Sequence, residues 1–341
     1  MEIIDELPAE AIEFLDVLAI EKNYSPNTIL SYKRNLKQFF KWLVCNKLQT
    51  DVTCLEPITI RYFISFLKQK IVNISIKQKL ATLKSFFEFL EEFYEINELP
   101  RIPKNIKKES MPIETISIQE IHLLLDAVLK RKKNLIDIMS NKKRNTIRLQ
   151  KQVNNCRRDH AILALLAGTG IRVGELVGIN IGDINLGTKT IIIHGKRNKV
   201  REVFFDVPLI ENPLIQYLNW RTAIVSDTEK LFLNSKNNQG ITTRSIQRMI
   251  KIYLEISNIS NDVTPHTLRH SYATISIEKG ANIKAISQLL GHAQVSTTLE
   301  YYTHLSKEHL RSVYRETHPG CQSDKSLTEI INNRKDILTS L

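Results

Sequence analysis

Between Asn97 and Ser117 the helical pattern of the chain stops, and Pro100, Pro103 and Pro112 fall among Lys104, Lys107 and Lys108. Proline fixes φ and removes a backbone donor, so no regular helix runs through such a stretch. The segment reads as an extended basic linker. It divides the 341 residues into two domains, as expected of a chain this long at roughly 150 residues per domain. The boundary is placed near residue 108, with an N-terminal domain over 1–108 and a second domain over 109–341.

Ahead of the linker the apolar residues recur at helical spacing. Phe14, Leu15 and Leu18 form one stripe, and Tyr32, Leu36, Phe39, Phe40 and Leu43 a second. Phe63, Ile64, Phe66 and Leu67 form a third, and Leu80, Leu83, Phe86, Phe87 and Leu90 a fourth. Such stripes bury one face of each helix, so the first domain is an all-α bundle whose aromatic residues belong to its core. Ser25-Pro26 supplies a cap and a first-turn proline for the second helix.

The second domain opens with Ser117-Ile118-Gln119-Glu120, a capping box, and a helix through Leu129. A basic insert follows: residues 130–158 hold eleven Lys/Arg against one acid, Asp137. An apolar helix from Asp159 to Ala167 stops at Gly168-Thr169-Gly170. Thr190–His194 and Val200–Val207 are β-branched runs separated by Gly195-Lys196-Arg197-Asn198, which reads as a β-hairpin. Helices resume at Asn212, Thr243, Pro265 and Asn282, and residues 327–341 carry Ile330, Ile331, Ile337 and Leu338 at helical spacing. The fold class is mainly α with a small antiparallel β-hairpin or sheet, an α+β domain behind an all-α one.

Composition narrows the function. The net charge is +12 and is concentrated in the insert, which suits either a solvated helix face or contact with phosphates. Four cysteines without a CxxC pair argue against a disulfide scaffold and a cysteine zinc module, and point to a reducing, cytoplasmic setting. No apolar run reaches the ~20 residues that span a bilayer, and the acidic start does not read as a secretory leader, so no membrane partner is expected. Gly168-x-Gly170-x-x-x-Gly174 is one residue too long for a dinucleotide fingerprint and follows a helix, while Gly195-Lys196 lacks the rest of a P-loop. His266 and His270 have zinc spacing, but Thr267 stands where a metalloprotease needs glutamate. Neither a cofactor nor a metal is implied.

The remaining polar residues suit phosphodiester chemistry. Thr264-Pro265 starts a helix on which His266 and Arg269 lie three apart, on one face near the amino end. Arg172 follows the glycine break, and Glu175 lies three residues on, within reach of its guanidinium. Lys196 occupies the hairpin tip. His292 follows Leu289-Leu290-Gly291, and Tyr301 and Tyr302 come nine and ten residues later. Singly, each is an ordinary surface, cap or turn residue. Together, two arginines neutralise a phosphate as its transition state gains charge, histidines donate hydrogen bonds or move protons, and a lysine protonates a leaving 5′-oxygen. A tyrosine beside such cations is a competent nucleophile, and its phosphate ester conserves the bond energy without a nucleotide.

These residues resemble the tyrosine recombinases, or phage-type integrases, in their Xer-like branch. The matching stretches are GTGIRVGELVGINIGDI (168–184), IIIHGKRNKVREVFFDVP (191–208), TPHTLRHSYAT (264–274) and LLGHAQVSTTLEYYTHLSKEHLRSVYRETHPG (289–320). The segment YSPNTILSYKRNLKQFFKWL (24–43) is similar to the family's core-binding domain. The resemblance implies Arg172 and Arg269 as phosphate-clamping arginines, Lys196 as general acid, His266 and His292 as the two histidines, and Glu175 as a support for the first arginine. For the nucleophile it implies Tyr302, which Thr303-His304 follows, with Tyr301 as the alternative. Arg197 stands where the family commonly has glycine, and the family usually has only a short connection in place of residues 130–158. It further implies a site-specific recombinase that cuts duplex DNA through a 3′-phosphotyrosyl intermediate, in mobile-element integration and excision or in chromosome-dimer resolution. A homotetramer that exchanges the helix at 327–341 is implied, with a paired recombinase or an accessory protein as possible partners. The alternatives are a type IB topoisomerase and a catalytically inert DNA-binding regulator.

Overall fold

The structure is a computed structural model that describes residues 7–52, 55–71, 73–96, 99–103, 114–141, 146–195, 199–224, 226–236, 238–260 and 262–291. It comprises two compact units, Met1–Pro112 and Ile113–Leu341. Among the described residues no helix is long and apolar enough to cross a membrane.

Among the described residues the first unit holds four α-helices: α1 (Ala9–Ile20), α2 (Pro26–Cys45), α3 (Pro57–Lys68) and α4 (Asn73–Tyr94). Ser25 caps α2, its Oγ accepting from the Thr28 amide at 3.3 Å, with Pro26 at the first helical position. Each helix buries one face. Phe14 and Leu18, Leu36 and Phe40, Phe63 and Leu67, and Leu83 and Phe86 all lie in one core. Ring contacts tie the helices together, with centroids of Phe14 and Phe86 5.4 Å apart and of Phe39 and Phe63 5.0 Å apart. The aromatic stripes are thus packing surfaces. Leu99 and Ile102 of the linker pack on the same core.

The second unit is built around a buried helix. Ser117 and Glu120 form the capping box, with the Ser117 amide donating to Glu120 Oε2 at 2.7 Å, and open α5 (Ile118–Asn141). Then come α6 (Thr146–Thr169), α7 (Val173–Gly178), strands β1 (Ile184–Asn185), β2 (Thr190–His194) and β3 (Val200–Phe204), α8 (Pro208–Arg221), α9 (Thr243–Ser257), α10 (Pro265–Glu278) and α11 (Ile283–Leu290). Residues Ala161 to Leu166 of α6 are all buried, as in a helix packed on every side. The sheet is antiparallel in the order β1-β2-β3, pairing Ile184 with Ile191 and Ile191 with Val203.

Several boundaries differ from the sequence reading. The helix expected from Asp159 starts at Thr146, and α5 continues to Asn141, so the described part of the basic insert is the extension of two helices. Leu135 and Val153 are buried there, a periodicity that the charge density obscures. The helix expected at Asn212 begins at Pro208, four residues earlier, because proline fits the first turn and Pro213 is tolerated inside. The second strand ends at Phe204 instead of Val207, and β1 is too short to leave a pattern. The helix expected at 327–341 lies outside the described residues.

Part of the insert's charge is structural. Arg158 is buried, pairing with Asp159 Oδ1 at 2.6 Å and donating to the Leu233 carbonyl at 2.9 Å. The other carboxylate oxygen of Asp159 accepts from the Tyr253 hydroxyl at 2.9 Å. Burial of that phenol, with the Asp159 charge adjoining it, drives its pKa upward. Tyr253→Phe removes the donor and leaves a buried carboxylate oxygen with one partner fewer, a loss of about 1–3 kcal/mol. Each unit holds one tryptophan, Trp42 and Trp220. Urea unfolding followed by Trp220 fluorescence in a Trp42→Phe background is expected to show that loss.

Candidate active site

Two left-handed glycines determine where helix ends can meet. Gly170 (φ +62°) follows α6 and Gly291 (φ +65°) terminates α11. A Cβ on Gly170 would lie 2.7 Å from both Leu290 Cδ2 and Tyr272 Cδ1. Glycine is therefore required there for backbone conformation and for the close approach of α10 and α11.

Arg269 of α10 lies between those ends. It is 4% exposed. Its Nη1 donates to the Gly170 carbonyl and its Nη2 to the Leu290 carbonyl, each at 2.7 Å. Both acceptors stand at the carboxyl end of a helix, where unsatisfied carbonyls carry the negative end of the dipole.

Arg172 caps the amino end of α7. Its Nη1 donates to Glu175 Oε1 at 2.8 Å and its Nη2 to the Gly291 carbonyl at 3.3 Å. Glu175 also reaches back to accept from the Arg172 amide at 2.9 Å. A third arginine, which the sequence reading missed, completes the cluster. Arg201 of β3 grips Glu175 with both ends of its fork, Nη1 to Oε1 at 3.0 Å and Nη2 to Oε2 at 2.7 Å, and its Nε donates to the Leu289 carbonyl at 2.9 Å. Three successive carbonyls, of Leu289, Leu290 and Gly291, thus each accept from a different arginine. The signal for Arg201 was its register: it pairs with buried Ile193 and shares an inward face with buried Val203, two residues on.

Three guanidiniums against one carboxylate leave a positive excess, and Arg172 keeps 40% of its side chain exposed, so part of that charge faces solvent. Burial pushes the Glu175 carboxyl upward. The hydrogen bond from Arg201, that from the Arg172 backbone, the Arg201 charge and the Arg172 side chain outweigh burial and hold the pKa at about 2.

His266 is exposed in the first turn of α10, three residues before Arg269. Thr264 caps that turn, its Oγ1 accepting from the Thr267 amide at 3.1 Å. The structure therefore gathers Arg172, Glu175 and Arg269 and holds His266 one helical turn from Arg269. Lys196, His292, Tyr301 and Tyr302 lie outside the described residues. On either side of residues 196–198, the Gly195 amide donates to the Lys199 carbonyl at 2.7 Å.

Residues 133–309 match the Phage integrase family, and residues 11–92 match the phage integrase N-terminal SAM-like domain. The chain is 33% identical over 324 residues to Tyrosine recombinase XerC of Oceanobacillus iheyensis, covering 92% of this chain and 97% of that one. It is 33% identical over 311 residues to Tyrosine recombinase XerD of Staphylococcus haemolyticus, covering 90% and 97%. Among solved structures, its fold is similar to XerH site-specific recombinase bound to palindromic difH substrate, with a TM-score of 0.67, 20% identity and coverage of 89% and 83%. It is also similar to the Tn1549 transposon integrase in complex with transposon right end DNA, with a TM-score of 0.66, 17% identity and coverage of 90% and 98%.

The folded pKa of Glu175 lies below its ordinary value of 4.5, so the carboxylate's stabilisation is present above about pH 4.5 and is lost as pH falls through about 2. Glu175→Gln is expected to cost about 3 kcal/mol at pH 7, with the gap from the parent closing across that acid window. Urea unfolding at a series of pH values, read by Trp220, measures it. A gap that stays constant with pH would contradict the assignment.

Proposed function

The chain belongs to the phage integrase family as a tyrosine-type site-specific DNA recombinase, and from that premise we propose how its residues divide the reaction. Arg172 and Arg269 hold the non-bridging oxygens of the scissile phosphate. Tyr302, with Tyr301 as the alternative, attacks the phosphorus. The P–O5′ bond breaks as a 3′-phosphotyrosyl bond forms, and Lys196 gives the departing 5′-oxygen its proton. His266 and His292 supply hydrogen bonds and move protons around the same phosphate. Attack by a 5′-hydroxyl from the exchanging strand then reverses the chemistry and frees the tyrosine. Energy is conserved in the ester throughout.

One observation supports this assignment above the others: Arg172 and Arg269, 97 residues apart in sequence, are held on the successive carbonyls of Leu290 and Gly291, immediately before His292. Guanidiniums held in place before the reaction are what a phosphate transition state requires. The likeness to Xer recombinases over nine-tenths of the chain favours exchange between two sites over topoisomerase-type relaxation, and the clustered arginines disfavour an inert DNA binder. We place the protein in the cytoplasm with its DNA. It acts there as a tetramer on paired duplex sites, with residues 327–341 docking on a neighbouring protomer. Its biological role is the integration and excision of a mobile element or the resolution of chromosome dimers.

A pool of nicked duplexes with randomised cores, recovered as DNA that stays bound to protein through denaturation, yields the cleavage site and the adduct together. Peptide mass is expected to locate the DNA on Tyr302, and Tyr302→Phe to abolish the adduct while Tyr301→Phe retains it. The reverse result transfers the role to Tyr301, and no adduct on any duplex would sink the recombinase reading. Deleting residues 327–341 is expected to weaken pairing of two sites in a gel-shift assay while single-site binding persists. Unchanged pairing would remove the tail from the assembly.

A further inference from the structure

Glu175 has two oxygens and two arginines competing for them. Arg201 occupies both, with Nη1 on Oε1 and Nη2 on Oε2, and leaves Arg172 a single contact through Nη1 on Oε1. The other terminal nitrogen of Arg172 is thereby directed to the Gly291 carbonyl. Arg201 is also wedged against that backbone, because a Cβ on Gly291 would lie 2.8 Å from its Nη1. Only 15% of its side chain is exposed, against 40% for Arg172. The Arg201–Glu175 pair is the more buried one, and the more exposed Arg172 guanidinium takes its position from it.

We propose that Arg201 is a positioning residue for strand cleavage: by filling both oxygens of Glu175 it denies Arg172 the two-pronged carboxylate grip, and so keeps the outer donors of Arg172 turned toward the phosphate. A guanidinium fork and a carboxylate fit each other in pairs of parallel hydrogen bonds. Without Arg201, Arg172 is the remaining guanidinium at Glu175, and it closes onto both oxygens and withdraws from Gly291. Through its Nε bond to Leu289, Arg201 also ties β3, the strand that follows the Lys196 turn, to the end of α11 that leads into His292. This inference rests on the reading above, in which Arg172 clamps the scissile phosphate.

The test uses the full chain and the nicked duplex recovered by the covalent selection, with single-turnover adduct formation at saturating protein and duplex affinity measured separately. Arg201→Ala is expected to bind DNA within about threefold of the parent and to cleave roughly 100-fold more slowly, the scale of a misplaced catalytic group. Arg201→Lys keeps the charge but not the fork, and is expected to bind normally and cleave roughly 10-fold more slowly. The double variant Arg201→Ala with Glu175→Gln removes the carboxylate that captures Arg172, and is expected to recover about tenfold over Arg201→Ala, a gain that a merely structural role for Arg201 would not give. Cleavage by Arg201→Ala or Arg201→Lys at the parental rate overturns the proposal, as does a double variant no faster than Arg201→Ala. If Arg201→Ala does not fold, the Lys variant decides alone. A parent chain that forms no adduct sinks the recombinase reading instead, so the two failures are distinct.

Discussion

A buried guanidinium needs hydrogen-bond acceptors more than it needs a counter-charge, and the second unit is arranged to provide them at Arg269. Removing such a cation from water costs several kcal/mol. Two carbonyls at 2.7 Å offset that cost, and each stands at the negative end of a helix. For both to reach one side chain, α6 and α11 must end within a few ångströms of each other. That proximity requires Gly170, whose Cβ would strike Leu290 and Tyr272, and Gly291, whose Cβ would strike Arg201. The glycine breaks, the helix ends and the arginine satisfy a single geometric condition.

The same condition brings the other two arginines in. Once α11 ends beside Gly170, its last carbonyls project toward the amino end of α7 and the inward face of β3, which carry Arg172 and Arg201. Glu175 then acts as the shared acceptor. It accepts four hydrogen bonds, so neither oxygen is left short of partners despite its burial. An exposed Arg–Glu pair three residues apart on a helix contributes little by itself. Arg172 and Glu175 become well fixed because Arg201 approaches from a different element and anchors the carboxylate.

Much of this was legible in the residues alone, for a physical reason in each case. The helical stripes of the first unit, such as Leu36, Phe39, Phe40 and Leu43, repeat at a spacing that only a helix buries on one side. The capping residues Ser25, Ser117 and Thr264 act within three residues of themselves, so they leave a local trace. Arg172, Glu175, Arg269 and His266 stood out because arginines beside glycine breaks and at helix starts are suited to anions. Arg201 did not stand out. Its partners lie 26 and 88 residues away, and a charged residue in a strand of alternating polarity looks like a solvent-facing one until the register is known. The extended α5–α6 pair was hidden in a similar way, since apolar Leu135 and Val153 sit between lysines and arginines whose density dominates the composition. Arg158, counted there as free charge, is committed to Asp159 and Leu233.

The protonation state of the cluster bears on what it can do. Arginine does not lose its proton in water at any pH compatible with folding, and Glu175, held at about 2, is ionised at neutral pH. The Glu175 carboxylate therefore does not titrate in the neutral range. Lysines in place of the arginines would supply similar charge but would lose the planar fork that lets one side chain hold a protein carbonyl with one nitrogen and keep others for a ligand. In the proposed assignment, guanidiniums oriented by backbone carbonyls before DNA arrives spend no reorganisation during the reaction. Three arginines on three consecutive carbonyls are a direct structural means to that end.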